Sequence, residues 1–294
     1  MTDDELRAEV ESWLAAHWRP DIDRRAWLAM VVEARWAVPR WPVQWWGRGL
    51  SDPQGRIVEH AFAAVGAPGT GQDRVNLWAN TLLAKGTEAL KAQLIGPLLC
   101  DEVGMCLLYS EPSAGSDLAA VRTRADRDGD RFIINGQKVW TSSAATADYG
   151  MLIARTDWDV PKHLGISFFF LPMKQAGVEV RPLRQITDES HFNEVFITDA
   201  MVPADNLLGE INTGWAVLQT ALAYERSVVG ERARGARSGA AEPTGDTAMI
   251  VLAREAGVLD DPVLRQDLAK VTALRQLNAL NTARAKADLA QGTA

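Results

Sequence analysis

The sequence predicts an α+β fold with a helical region at each end and a β domain in the middle. Apolar residues recur at helical spacing through residues 1–106, and short β-prone runs separated by turn residues fill 107–210. The helical period then returns over 211–294. We expect three domains with these bounds: an N-terminal helical domain, a middle antiparallel, β-barrel-like domain, and a C-terminal helical bundle that is incomplete in this chain.

The N-terminal region opens with a helix start signal. Thr2 and Glu5 have the spacing of a capping box, in which each side chain bonds the other residue's backbone N–H. Apolar residues follow on one helical face: Leu6, Val10, Trp13 and Leu14. The same spacing returns near the end of the region at Leu90, Leu94 and Leu98. The segment PVQWWGRGLS (42–51) between them is predicted to be a loop that joins two helices.

The middle region contains several short β-prone runs, in order RFIINGQKVW, YGMLIAR, GISFFFLP, VEVRPL and EVFIT. The first run contains Asn135 and Gly136. This dipeptide suits a type I′ turn, because both central residues of that turn need positive φ. We therefore expect a tight hairpin at this point.

The C-terminal region has one apolar stripe, a short helix and a long helix. The stripe consists of Trp215, Leu218, Leu222 and Val229. TAMIVLAREAG is the short helix, and Asp261 followed by Pro262 predicts the start of a helix that runs almost to the last residue. Its apolar residues need cover, so we expect a homo- or hetero-oligomer in which these helices pack on other subunits; they include Leu264, Leu268 and Val271.

Composition excludes several classes of protein. The net charge is −7, which argues against a nucleic-acid partner. The two cysteines are isolated and fit no metal-ligand spacing, as in a reduced cytoplasmic protein. No apolar run approaches the ~20 residues of a membrane helix, and the acidic start is unlike a signal peptide. We expect a cytoplasmic protein without a metal or membrane insertion.

The loop SEPSAGSDLA (110–119) lies where the helical region gives way to the β region, a usual place for a pocket. Its hydroxyls and backbone N–H groups suit a flavin edge or a phosphate. Farther on, VWTSS places Trp140 and Ser142 on the same side of a strand, where an indole and a hydroxyl could cover a planar heterocycle. Two plainer interpretations stay open, namely a solvated turn for the loop and a core indole for Trp140.

Two long stretches resemble the acyl-CoA dehydrogenase family: KGTEALKAQLIGPLLCDEVGMCLLYSEPSAGSDLAAVRTRA and INGQKVWTSSAATADYGMLIART. FNEVFITDAMVPADNLLGE (192–210) fits as well, and the resemblance covers nearly the whole chain, most densely over 85–230. It implies three domains that enclose FAD and an acyl-CoA thioester. It also implies α,β-dehydrogenation in lipid metabolism, as in fatty acid β-oxidation, with electron transfer flavoprotein as the electron acceptor.

Carried over position by position, the resemblance implies six cofactor-binding residues: Tyr109, Ser110, Gly115, Ser116, Trp140 and Ser142. The first two meet the flavin ring edge, and the next two lie at the pyrophosphate and the mouth of the acyl-CoA site. The indole covers the flavin face, and the last serine bonds near flavin N5. Threonine is common where Ser110 and Ser142 stand, and serine keeps the hydroxyl.

The resemblance implies Glu225 as the catalytic base and Ser116 and Arg226 as substrate-binding residues. Much of the family carries its base near the end of the last long helix pair, beyond Ala294, while a minority carries it on the first C-terminal helix at the position of Glu225. Steps of three and four residues from Leu218 also place Glu225 in the apolar stripe, where burial would raise its pKa. The alternative is a structural carboxylate that Arg226 neutralises.

Two departures from the family keep other functions open. The chain ends early, and RARGARSGAAEPTGD (232–246) stands where many members have an arginine and a Phe-Gly pair that reach a neighbouring subunit's FAD. Both suggest a truncated chain or a subunit that works beside a different one. The alternatives are a non-catalytic partner subunit of a heteromeric dehydrogenase and a flavin oxidase or monooxygenase on the same fold.

Overall fold

The structure is a computed structural model that describes residues 1–235 and 246–290. Six α-helices come first: α1 (Asp3–His17), α2 (Arg24–Glu33), α3 (Asp52–Ala64), α4 (Gln72–Val75), α5 (Leu77–Lys85) and α6 (Glu88–Leu99). The strands follow: β1 (Met105–Leu108), β2 (Arg124–Asp128), β3 (Arg131–Ser142), β4 (Tyr149–Arg155), β5 (Ile166–Pro172), β6 (Val178–Leu183), β7 (Phe192–Pro203) and β8 (Leu207–Leu208). Three helices complete the described range: α7 (Gly214–Gly235), α8 (Asp246–Glu255) and α9 (Pro262–Ala290). The predicted order of helices, strands and helices is confirmed.

The chain packs as two units that divide after Gly230. The first contains the elements from α1 to β8 and most of α7, and the second contains α8 and α9, which contact each other. The strands begin at Met105 and end at Leu208, close to the predicted bounds of the β region. The division into three domains stays a prediction. The side chain of Val229 and residues 236–245, which include most of RARGARSGAAEPTGD, lie outside the described part of the chain.

The helix start signals work as the sequence indicates. At the start of α1, Thr2 Oγ1 accepts from the Glu5 amide at 3.3 Å and Glu5 Oε2 accepts from the Thr2 amide at 2.7 Å. At the start of α9, Asp261 Oδ1 accepts from two backbone amides at 2.8 and 3.1 Å. These bonds satisfy amides that have no partner within the helix. The predicted loop over 42–51 lies in the connection between α2 and α3 and contains one short 3₁₀ turn, Val43–Trp45.

One eight-stranded sheet forms the β region, in the order β6-β7-β3-β2-β4-β5-β8, with β1 beside β4. Most neighbours are antiparallel, as predicted, but β1 and β4 run parallel over four residue pairs, and β2 pairs in parallel with β4 between Arg124 and Arg155. Among the described strands, β6 and β8 form the two edges of this order, so the sheet does not close. The term barrel-like therefore holds only loosely, since a closed barrel has no edge strands.

The predicted hairpin at Asn135 and Gly136 is wrong, because both residues lie inside the continuous strand β3. The tight turn is at Gly129, between β2 and β3, where φ is +64°. Gly136 is needed for a close approach instead: a Cβ there would lie 2.7 Å from the Thr123 Cα. Asn135 faces a β-bulge in β7, where its amide exchanges hydrogen bonds of 3.0 and 2.9 Å with Asp199.

Both faces of the central strands β4 and β5 are buried. Met151 and Phe168 belong to a core shared with the N-terminal helices, whereas Leu152 and Phe169 belong to a second core within the β region. This pattern explains the nearly continuous apolar runs YGMLIAR and GISFFFLP. The first core also includes residues on α7, of which Leu218 is fully buried. The packing therefore holds the first turns of α7 in the core of the first unit.

The helix α9 exposes several large apolar side chains, including Leu274 and Leu280, while Leu264 and Leu268 are partly covered. Leu252 on α8 is exposed as well. The described part of α9 therefore presents exposed apolar side chains, as the expectation of packing on another subunit requires. Of the helices that the structure describes, none has both the length and the apolar character required to cross a bilayer.

Candidate active site

The two sequence stretches that suggested a ligand lie side by side. After β1, the chain runs along β3, and the Val139 amide donates to the Ser110 carbonyl at 2.9 Å. Tyr109 is buried and Ser110 is half-buried. The structure therefore brings the end of the first stretch next to Trp140, the residue after Val139.

Trp140 stands at a β-bulge, where two residues of β3 face one residue of β7. Its φ is +60°, and its side chain is 63% exposed. Positive φ is unfavourable for a bulky residue, and such strain concentrates at functional sites. The ring of Phe192 meets the indole edge to face at a centroid distance of 6.0 Å. Ser142 is also exposed, two positions farther along the strand. Trp140 is therefore not a core indole.

The loop that follows Ser110 is anchored on one side and exposed on the other. Gly115 and Ser116 are exposed, and a Cβ on Gly115 would meet no atom within 4 Å. Asp117 bonds the Lys162 ammonium through both carboxylate oxygens at 2.7 Å. Next in the chain, carbonyls 119 and 121 accept from the buried Arg155 guanidinium at 2.6 and 3.2 Å. These bonds hold the loop in place and leave its outer side open to a ligand.

A buried ion pair, which the sequence reasoning missed, lies directly behind this segment. The Lys138 ammonium bonds Glu111 Oε1 at 2.8 Å, and Lys138 is completely buried. Burial lowers the pKa of Lys138 to about 8. Burial alone would raise the pKa of Glu111, but Lys138 and hydrogen bonds from residues 122 and 123 hold it below its usual value. The sequence feature that could have indicated this pair is a lysine within a β-prone run, directly before the apolar Val139.

The predicted base lies close to Tyr109. Glu225 is half-buried on α7, one turn after Ala221, which is fully buried in the core that contains Tyr109. Burial raises the pKa of the Tyr109 phenol, and the negative charge of Glu225 raises it further. The phenol donates to Met151 Sδ at 3.6 Å. Arg226, the other predicted residue on this helix, is exposed.

These residues fit the isoalloxazine ring of a flavin. An exposed indole and an exposed hydroxyl at Ser142 lie at the end of β3, and the half-buried Ser110 bonds the same strand at Val139. Such a set offers an apolar face for stacking and hydroxyl groups for the polar ring edge. Tyr109, the residue before Ser110, is buried, and Glu225 is near enough for its charge to raise the pKa of the phenol.

Comparison with known proteins identifies the family. The family model for the acyl-CoA dehydrogenase middle domain matches residues 106–199. Acyl-CoA dehydrogenase IpdE1 of Mycobacterium tuberculosis is 35% identical over 300 residues, which cover 93% of this chain and 75% of the relative. The chain belongs to the acyl-CoA dehydrogenase family. It is therefore an enzyme of a flavoprotein oxidoreductase family in lipid metabolism, whose members are generally FAD-dependent.

Solved structures agree with this assignment. The structure titled "Tcur3481-Tcur3483 steroid ACAD" is 31% identical, with a TM-score of 0.64, and the match covers 97% of this chain and 77% of that one. The ChsE4-ChsE5 complex of Mycobacterium tuberculosis is 28% identical, with a TM-score of 0.62 and coverages of 99% and 77%. The predicted fold class and family are thus confirmed.

Proposed function

We propose that this chain catalyses FAD-dependent α,β-dehydrogenation of an acyl-CoA thioester, with Glu225 as the base that takes the α proton. The observation that carries the proposal is the position of Glu225, which is half-buried on α7 near Tyr109. Tyr109 is followed by Ser110, which bonds β3 beside Trp140 at the proposed flavin-binding surface.

The flavin would lie on the exposed surface formed by Trp140 and Ser142. Tyr109 and Ser110 would meet the ring edge through backbone groups and a hydroxyl, and the indole would cover one ring face. The exposed Gly115 and Ser116 would serve the pyrophosphate. FAD, when bound, would accept the hydride that leaves the β carbon of the substrate.

Glu225 would do the proton chemistry. The proton α to a thioester is weakly acidic, so a base must act from a site that excludes water and stabilises the developing enolate charge. Half-burial on α7, one turn after the fully buried Ala221, partly shields Glu225 from water, and the bound acyl-CoA and flavin would complete the exclusion. Ser116 and the exposed Arg226 are proposed to contact the thioester-bearing ligand, where the arginine offers a charge to the CoA phosphates.

The test compares Glu225→Gln with Glu210→Gln in the full-length protein. Glu210 is an exposed glutamate just before α7, so the control makes the same chemical change outside the site. Mixing with acyl-CoA without oxygen should bleach the flavin of the wild type and of the control at equal rates. Loss of a general base costs about 10²–10⁴ in rate, so the Glu225 variant should bleach that much more slowly while it retains FAD. Bleaching at the wild-type rate would place the base elsewhere.

The acyl group and the electron acceptor need separate measurements. A substrate panel should include straight, branched and steroid-side-chain acyl-CoA esters, because one neighbour is titled a "steroid ACAD". We propose electron transfer flavoprotein as the acceptor. The reduced enzyme should then pass electrons to that protein far faster than to oxygen. Rapid reoxidation by oxygen while acyl-CoA is bound would favour an oxidase or monooxygenase instead.

A second candidate function is that of one subunit in a heteromeric dehydrogenase. Two observations favour it: the neighbour that is a ChsE4-ChsE5 complex, and the exposed leucines on α9. In this role the chain alone would associate or aggregate, and it would reach full turnover only with a second type of subunit. Sedimentation of a stable, fully active monomer would exclude both this role and the predicted oligomer.

A further inference from the structure

We propose that Lys138 is a positioning residue for the cofactor site, because its ammonium holds the Tyr109–Glu111 segment in the conformation that faces the flavin. The inference rests on the proposed FAD site but concerns a residue that does not reach the surface. The ammonium of Lys138 takes no part in the proposed proton and hydride transfers.

Every donor of the Lys138 ammonium is engaged. Its Nζ lies 3.1 Å from the Tyr109 carbonyl, 2.8 Å from Glu111 Oε1 and 2.9 Å from the Ile153 carbonyl. An ammonium has three N–H donors, so these bonds satisfy the group completely. They connect the segment after β1 with β3 and β4 through one buried atom.

Glu111 extends the same network to residues 122 and 123, which come directly before β2. Its Oε1 also accepts from the Thr123 amide at 2.9 Å and the Thr123 hydroxyl at 2.6 Å. Its Oε2 accepts from the Arg122 amide at 2.7 Å. Both carboxylate oxygens are thus used, and the ion pair fixes the ends of the Tyr109–Glu111 segment from two directions.

Stability alone is a weak reason for such a pair. Removing two charges from water costs about as much free energy as their attraction returns, and apolar pairs of similar volume are often equally stable. The location is more informative. The segment after β1 is irregular, so the Tyr109 carbonyl needs a donor that the sheet does not supply, and Lys138 provides it two residues before Trp140. One side chain therefore sets the spacing between the ring-edge segment and the indole.

The first test uses Lys138→Met and the double variant Glu111→Gln with Lys138→Met. The single variant leaves a buried carboxylate unpaired, so it should lower Tm and weaken FAD binding about tenfold or more. The double variant removes both charges and should recover most of the lost Tm. Its FAD affinity should stay low, because the Tyr109 carbonyl still lacks its donor. Recovery of FAD affinity together with Tm would show a merely structural pair and overturn the proposal.

A milder second pair of variants applies even where the lysine variants fold poorly. Thr123→Val removes the hydroxyl bond to Glu111, and Thr81→Val removes an equally buried hydroxyl bond to a helix carbonyl in α5. Both should lower Tm to a similar degree, but only Thr123→Val should weaken FAD binding, by about threefold or more. Equal FAD affinities would also overturn the proposal. Failure of the wild type to bind FAD would refute the cofactor proposal itself, whereas wild-type binding with unaffected variants would refute only the role of Lys138.

Discussion

At the scale of single residues, the exposure and backbone conformation of Trp140 distinguish a binding role from a packing role. A tryptophan that serves packing is buried in an ordinary backbone conformation, yet this one is 63% exposed at a φ of +60°. Its neighbours explain how the strain is held, since Lys138 is completely buried and Thr141 pairs again with β7. The bulge turns the indole outward while the strand on either side stays in register.

Replacement of Trp140 by alanine should weaken FAD binding without unfolding the protein. An exposed ring contributes little to the core, so the Tm of the FAD-free protein should change by no more than about 2 °C. Loss of ring stacking should raise the dissociation constant of FAD by about tenfold and shift the flavin absorbance. Trp158→Ala removes another half-exposed indole and serves as the control in a fluorescence titration. Equal FAD affinities of the two variants would argue against the proposed placement.

At the scale of secondary-structure elements, the start of α7 determines where Glu225 lies. Gly214 begins this helix in close contact with β5: a Cβ would lie 2.5 Å from the Ser167 carbonyl carbon. The Asn212 amide donates to Ser167 Oγ at 2.8 Å, which ties the preceding turn to the same strand. These backbone contacts position the helix, and the helix in turn carries the carboxylate to Tyr109.

Gly214→Ala should therefore reduce turnover although it lies three helical turns from the base. The added methyl group must push α7 away from β5, and overpacking of this kind costs about 1–3 kcal/mol. Ala216→Gly is the control, because it weakens the same helix at an exposed position by about 1 kcal/mol without a clash. We expect flavin bleaching by acyl-CoA to slow in the first variant only, as measured by stopped-flow absorbance. Similar rates in both variants would mean that this contact does not set the position of Glu225.

At the scale of the whole molecule, one core of the first unit joins the helices to the sheet, and the same unit contains the buried pair of Lys138 and Glu111. Glu111 has a pKa below the ordinary 4.5 because, against the effect of burial, Lys138 and backbone amides favour its ionised form. A depressed carboxylate pKa stabilises the folded state above the unfolded value, and this stability is lost as the pH falls through the folded value.

Urea unfolding at several pH values should reveal this contribution. Wild-type stability should decline as the pH falls below 4.5, partly because the unfolded chain then binds a proton that the folded Glu111 does not. The double variant Glu111→Gln with Lys138→Met lacks this group and should show a shallower decline. The difference in unfolding free energy between the two proteins should therefore shift in favour of the double variant as the pH falls. Parallel curves between pH 7 and pH 3 would show that Glu111 titrates alike in both states.

Local signals predicted the elements well, because they act over a few residues. The capping box at Thr2, the cap at Asp261 and the apolar runs of β4 and β5 all formed where the sequence indicated. The turn at Gly136 failed because the same dipeptide that suits a turn also suits a close approach of two backbones, and only the neighbouring Thr123 distinguishes the two.

By itself, the sequence determined the α+β class, the order of the elements, the family and the candidate residues, since these follow from periodicity and from motifs that are continuous in the chain. The tertiary structure alone decided which distant residues meet: Ser110 beside Val139, Lys138 with Glu111, and Tyr109 near Glu225. It also decided that β1 runs parallel to β4 and that the sheet stays open among the described strands. The physical reason is that burial and pairing depend on packing between residues far apart in the chain. A lysine can be buried only where hydrogen-bond acceptors compensate for the lost water, and here these are the Glu111 carboxylate and the carbonyls of Tyr109 and Ile153.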